Sequence, residues 1–303
     1  MQIKSTFVVA IIASCFLAAC GNSDYQKTSD GLLYRIVSGK GDSTIKPGQY
    51  LKVYLSSSIN DSIINSNYDR IPAYGMYDTS TKNTYSFIDF LGKMKVGDSA
   101  TFIQSIDTLQ KKGMLQYNPT FKQGGTIVGT VKILKVLPNE AAVEADYKAE
   151  MEAEKAREIA SLEKYLKEKN IAATKTSKGV FVVVENPGTG AQADSGMKVS
   201  VNYDGYLKNG KKFDSNLDSS FQHVQPLEFV VGTAAVIEGW DDGIKLFKEG
   251  GKGKIYVPAM LAYGPQARGD AMPAFSDLIF EVDILKVEVP TEAPAVPGLV
   301  PGQ

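Results

Sequence analysis

Five aromatic residues, Tyr203, Phe213, Trp240, Tyr263 and Phe280, fall on separate stretches of the C-terminal half of the chain, and Trp240 is its only tryptophan. Most aromatic side chains simply fill cores. Trp240 and Tyr263, however, stand beside glycine and turn residues, in Gly239-Trp240 and Ala262-Tyr263-Gly264. Rings at such joints more often line a concave site. The chemistry this suggests is recognition by apolar faces rather than bond-making by a nucleophile.

The remaining inventory excludes more than it offers. One histidine, His223, lies in a polar stretch between Ser219 and Gln225, the setting of a surface residue. With a single histidine and two cysteines, Cys15 and Cys20, a four-ligand Cys/His metal site is excluded within one chain, and the polar setting of His223 does not single it out as the base of a triad. Gly250-Gly251-Lys252-Gly253 leads into a strand and not a helix, so it is no phosphate-binding loop. Carboxylates are plentiful, but nothing singles out a hydrolytic pair. A formal net charge of −1 gives no reason to expect a nucleic-acid partner. No metal and no cofactor is expected.

Strands and turns must position these rings. Val180 to Val184 reads as a strand. Val199, Val201 and Tyr203 alternate with polar residues at the period of a half-buried strand. Leu227 to Val231 is a further strand, and Leu278, Phe280, Val282 and Ile284 alternate along a last one. Trp240, Ile244 and Phe247 share one face of a short helix. One helix covered by an antiparallel sheet is an α+β layer.

The region 28–138 is a related copy. Thr28-Ser29-Asp30-Gly31 recurs as Thr176-Ser177-Lys178-Gly179 and Gly48 as Gly196, both at an offset of 148. Lys95-Val96-Gly97 parallels Lys248-Glu249-Gly250, and Ile133-Leu134-Lys135-Val136 repeats as Ile284-Leu285-Lys286-Val287. Between the copies, 139–172 is rich in Ala, Glu and Lys and free of Pro and Gly, which favours helix. Its narrow apolar stripe, Val143, Tyr147, Met151, Ile159, Leu162 and Leu166, suits packing on a neighbouring domain or a second copy; a solvated spacer helix is the alternative.

At the N-terminus, Lys4 precedes a short apolar run, Phe7 to Leu17, that ends in Leu17-Ala18-Ala19-Cys20. This reads as an export signal over 1–19. It resembles a bacterial lipobox, which implies cleavage before Cys20 and lipid attachment to its thiol; a plain secretory signal is the alternative. A polar tether, 20–27, would follow. The tail, 290–303, is rich in Pro and Gly and reads as extended.

Over 173–289 the residues reach a recognisable pattern. Val201-Asn202-Tyr203-Asp204-Gly205, Phe213-Asp214-Ser215, Pro226-Leu227-Glu228-Phe229, Val236-Ile237-Glu238-Gly239-Trp240, Ala262-Tyr263-Gly264 and Leu278-Ile279-Phe280-Glu281-Val282 resemble, in order, an FKBP-type peptidyl-prolyl cis-trans isomerase domain. The resemblance implies an apolar pocket that holds a proline ring against Trp240. It assigns Tyr203, Phe213, Asp214, Ile237, Trp240, Tyr263 and Phe280 to catalysis, and Leu227, Val236 and Met272 to substrate contact. The backbone N–H of Ile237 and the hydroxyl of Tyr263 would be donors, and Asp214 would orient the pocket through Tyr203. Ala271, the long segment Asn216 to Gln225 without a neighbouring arginine, and Arg268 at a loop tip depart from the family pattern.

In the first copy the offsets place Leu55 at Tyr203, Asn65-Ser66 at Phe213-Asp214, Phe87 at Trp240, Gln110 at Tyr263 and Gly129 at Phe280. That predicts an FKBP-like fold without the pocket. The expected partners are proline-containing polypeptides and, through Cys20, a membrane on the periplasmic or outer face of a cell envelope. The helix ending Glu168-Lys169-Asn170-Ile171 resembles that of macrophage-infectivity-potentiator-type isomerases, which leaves room for a homodimer through the linker helix. A non-catalytic chaperone or scaffold is the rival reading.

Overall fold

The computed structural model describes residues 24–80 and 84–290. The export signal 1–19, Cys20 and nearly all of the 290–303 tail lie outside the described residues. Two compact units divide the chain, 1–145 and 146–303.

Unit 1 carries β1 (Gln26–Lys27), β2 (Leu33–Val37), β3 (Tyr50–Ile59), β4 (Ser62–Ser66), β5 (Ala73–Met76), β6 (Ser99–Ser105), α1 (Ile106–Lys111) and β7 (Thr126–Leu137). The long helix α2 (Glu140–Glu168) follows. Unit 2 continues with β8 (Thr174–Lys175), β9 (Phe181–Asn186), β10 (Lys198–Leu207), β11 (Lys212–Ser215), β12 (Leu227–Val230), α3 (Glu238–Gly243), β13 (Lys252–Val257) and β14 (Leu278–Glu288). The fold is α+β.

Each unit holds one antiparallel sheet of seven strands, and the two sheets share one topology. The order is β1-β2-β6-β7-β3-β4 with β5 on β3 in unit 1, and β8-β9-β13-β14-β10-β11 with β12 on β10 in unit 2. Even the irregularities match. The register of the central pair shifts between Lys52 and Val53 in β3 and between Ser200 and Val201 in β10. The repeated tetrapeptides are turns of one geometry: the Thr28 and Thr176 hydroxyls each accept the N–H four residues on, and Gly31 and Gly179 take φ of 96° and 100°. Only glycine holds that conformation without strain.

Alternation fixes which face is covered. In β10, Val199, Val201, Tyr203 and Leu207 are buried, and in β14 so are Leu278, Phe280, Val282 and Ile284. These close on Trp240, Ile244 and Phe247, where α3 gives way to a 3-10 turn. Gly239 lets α3 approach the sheet, since a Cβ there would stand 2.2 Å from Val257 Cγ1.

The C-terminal half of α2 belongs to unit 2 and packs on the other face of its sheet. Leu162 and Leu166 bury against Phe181 and Tyr256, with Ile159 alongside. This settles half of the apolar stripe as intradomain packing. The same face also buries two carboxylates, Glu154 and Glu158, which the apolar pattern did not foresee. Among the described residues no helix is long and apolar enough to cross a membrane.

Candidate active site

The rings singled out in the sequence come together in unit 2. Tyr203 on β10, Phe213 and Asp214 on β11, Leu227 opening β12, Val236 and Ile237 before α3, Trp240 within it, Tyr263 and Phe280 surround one cavity of about 470 Å³. Trp240 forms the centre of an edge-to-face cluster. Its centroid lies 5.3 Å from Tyr203 and 5.1 Å from Phe280, and Phe213 meets Phe280 at 5.7 Å. Such pairs add about 0.5–1.5 kcal/mol each beyond burial. The positive ring edges meet negative faces, so the walls hold their shape without a ligand. Three further residues line the cavity: Ala235, Ala262 and Arg268. The Arg268 guanidinium lies over the Tyr263 ring at 4.6 Å. Met272 is elsewhere. It is buried in the core, and its backbone pairs with Arg268 rather than its side chain lining the wall.

The polar groups are held in fixed geometry. Asp214 Oδ2 accepts the Tyr203 hydroxyl at 2.8 Å, and Oδ1 accepts the Ser215 N–H at 2.9 Å. Burial, and then the Asp214 hydrogen bond, push the Tyr203 phenol up, so it remains a neutral donor. The third partner of Asp214 is His223, whose Nε2 lies 2.7 Å from Oδ1. The sequence reading placed His223 as an unengaged surface residue. Its side chain is half exposed, but the segment after β11 folds back and brings it to the site.

Asn216 explains that return. Its carbonyl oxygen accepts the Tyr203 N–H, and its amide donates to the carbonyls of Val201 and Gln225. A side chain thus takes the place of a paired strand. Unit 1 repeats the contact with Asn67, whose oxygen accepts the Leu55 N–H at 2.6 Å. The match corrects the alignment of the two hairpins. Gly205 pairs with Asp214 and Ser57 with Asn65, so Phe213-Asp214 corresponds to Ile64-Asn65 and not Asn65-Ser66. The turn of the second hairpin is one residue longer.

The wall before α3 is set by Asp241, whose two oxygens accept the N–H groups of Gly232 and Ala234 at 2.9 and 3.1 Å. The Ile237 carbonyl starts α3 by accepting from Trp240. Its N–H meets no acceptor among the described residues, and Ile237 is one of the residues that line the cavity. Tyr263 follows a 3-10 turn, Ala259–Leu261, that begins after Pro258 and has no side-chain cap of its own. Two carboxylates from elsewhere cap it: Asp277 accepts the Ala259 N–H and Glu158 of α2 accepts the Met260 N–H at 2.7 Å.

Comparison with known proteins points one way. A family description, FKBP-type peptidyl-prolyl cis-trans isomerase, matches residues 190–285. An FK506-binding protein of Neisseria meningitidis serogroup B is 42% identical over 109 residues, 36% of this chain and 96% of that protein. FK506-binding protein 1A of Neurospora crassa is 40% identical over 111 residues, 36% of this chain and 89% of that protein. The crystal structure of FkpA from Escherichia coli matches at 34% identity over 50% of this chain and 68% of that one, with a TM-score of 0.38. The matched stretch contains every cavity-lining residue, and relatives that are matched over nearly their whole length place the chain in the FKBP-type peptidyl-prolyl cis-trans isomerase family.

Proposed function

We propose that the unit 2 cavity is where the isomerase works, on proline-containing segments of exported polypeptides. The observation that carries this reading is the aromatic-lined cavity of about 470 Å³, whose wall includes Ile237 with its N–H unpaired among the described residues. An X-Pro bond resists rotation by about 18–20 kcal/mol because twisting destroys amide resonance. A dry pocket that grips the proline ring favours the twisted amide, whose carbonyl is less polarised. The Ile237 N–H and the Tyr263 hydroxyl then hold the carbonyl side while the bond turns. The rate gain comes from binding the twisted form more tightly than either planar form. Tyr203 and Asp214 keep the wall in place, and no covalent step is involved.

The same reading extends to location. Anchoring through a lipid on Cys20 would set the enzyme at a membrane surface of the cell envelope, and mass spectrometry of the mature N-terminus tests it. Dimerisation through the earlier part of α2, where Tyr147 is exposed, is tested by sedimentation. Unit 1 lacks the cavity's aromatic and acidic residues, which favours client holding or spacing over catalysis there.

The deciding experiment is NMR exchange of an X-Pro peptide with the full chain and its Phe213→Ala and Tyr263→Phe variants. Acceleration that falls in both variants, with the fold intact, supports the assignment. A folded chain that accelerates no X-Pro peptide leaves the binding-protein reading in its place.

A further inference from the structure

Asp214 is the only carboxylate among the residues lining the cavity, and Arg268 is the only basic residue there. His223 touches this carboxylate directly. A histidine changes charge between about pH 5 and 8. We propose that His223 is a specificity-determining partner of Asp214: its protonation switches the β11 wall of the cavity from a net charge of −1 to 0, and so sets which charged side chains beside the substrate proline are preferred. The inference rests on the assignment of the cavity as the prolyl-peptide site.

The neighbouring groups leave His223 as the one that changes. Tyr203, facing Asp214 from β10, has its phenol pushed up by burial and the Asp214 hydrogen bond and stays neutral. Asp218, which caps the turn Ser219–Phe221 leading to His223, has its carboxyl held low by the N–H and hydroxyl of Ser220 and stays ionised. Lys212 on β11 pairs with Asp204 at 2.7 Å, is raised by that contact, and stays charged. Arg268 stays cationic across this range, and Tyr263 lies beneath it.

The sign follows from charge. With His223 neutral, Nε2–H donates to Oδ1 and the carboxylate keeps its charge. A cationic residue next to the substrate proline is then attracted and an anionic one repelled. With His223 protonated, the pair is neutral, and Arg268 dominates the rim in favour of anionic neighbours. One charge acting over several ångströms at a partly solvated rim is worth about a two- to fivefold change in relative kcat/KM.

The test compares Ala-Lys-Pro-Phe, Ala-Glu-Pro-Phe and Ala-Leu-Pro-Phe peptides with the full chain at pH 5.5 and 8.0. In the natural chain the Lys-to-Glu ratio of kcat/KM should be about two- to fivefold higher at pH 8.0. His223→Gln should hold the ratio at its high value at both pH values, and His223→Arg at its low value. A ratio that does not move with pH in the natural chain, or that moves equally in His223→Gln, overturns the proposal while turnover of the Leu peptide shows the cavity reading intact. Failure to accelerate all three peptides overturns the cavity reading and this inference with it. A purely structural role for His223 would scale all three peptides together and leave the ratio unchanged.

Discussion

In unit 2, Phe280 on β14 pairs across the sheet with Ile255 on β13; in unit 1 the paired positions hold Gly129 on β7 and Phe102 on β6. The aromatic ring has moved from one strand to its neighbour. Phe102 then lies across the glycine, so that a Cβ on Gly129 would stand 2.1 Å from its ring. The ring packs 6.1 Å from Phe87 and 6.0 Å from Phe90. Unit 1 keeps a packed core and retains a smaller hollow of about 140 Å³, lined by Leu51, Val53, Phe87 and Leu91 among others. Topology, register and turn geometry survive in both units, so the alternation that builds the sheet is independent of the few positions that open a pocket.

The largest expected effect tests the centre of that difference. Trp240→Ala removes a ring that three others touch, and should cost about 3–5 kcal/mol while abolishing measurable acceleration of an X-Pro peptide. Hydrogen exchange of β10 and β14 reads the stability, since the variant lacks the fluorescent probe. Phe87→Ala, at the matching place in unit 1, should leave turnover unchanged. A drop in turnover there would mean that unit 1 takes part in catalysis.

Next in size is the strand-to-strand swap. Gly129→Phe alone overpacks against Phe102 and should cost about 1–3 kcal/mol or more. Phe102→Ile alone leaves a void, at about 1–2 kcal/mol. The double variant restores the unit 2 arrangement, and the two changes should couple favourably by about 1–3 kcal/mol. Hydrogen exchange in β6 and β7 measures the cycle. Simple additivity would show that the rings do not share one space.

Glu158 sharpens the comparison from outside the sheet. In unit 1, Ser105 caps α1 from its own N-terminus by accepting the Thr108 N–H. The matching residue in unit 2 is Pro258, which has no side-chain acceptor, and the cap has passed to Asp277 and to Glu158 on α2. Glu158→Ala should leave the Met260 N–H unpaired, cost about 1–3 kcal/mol and lower turnover by loosening Tyr263. Glu158→Gln keeps an acceptor and should recover most of both. If turnover is untouched in Glu158→Ala, the long helix supports only the fold.

How far the sequence could carry these arguments depended on whether a feature is local along the chain. The strands β10 and β14 were legible because their buried residues alternate over at least seven positions. Most of the cavity lining was legible through the family resemblance that the ordered motifs carry, whereas Ala235 and Ala262, small residues with no pattern of their own, were not singled out as lining. The hairpin offset was misjudged by one residue, because nothing in the sequence marks the longer turn until Asn67 and Asn216 are seen in the same role. Glu154 and Glu158 were hidden because carboxylates on a helix read as its solvated face; in the fold both are buried, Glu158 accepting the N–H of Met260 from a distant turn and Glu154 pairing with Arg157 one turn on. His223 was missed for the same reason: its partner lies nine residues back, across a fold-back that Asn216 holds. Met272 went the other way: the resemblance assigned it to substrate contact, while packing took its side chain into the core.

The smallest expected effect is none. Leu55→Tyr with Asn65→Asp places a phenol and a carboxylate at the positions of Tyr203 and Asp214, in strands whose register already matches. Introduced into the Trp240→Ala chain, the pair should restore no prolyl exchange. The hydrogen bond can form, because β3 and β4 present these positions as β10 and β11 do. The surrounding space is still wrong: Ile64 stands where Phe213 would close the rim and is exposed, Gln110 replaces Tyr263, and Phe102 fills the interior. A pocket that grips proline needs a concave apolar volume before it needs a polar strut. Recovery of exchange in this variant would reverse that order, making the Tyr–Asp pair sufficient and the aromatic enclosure secondary.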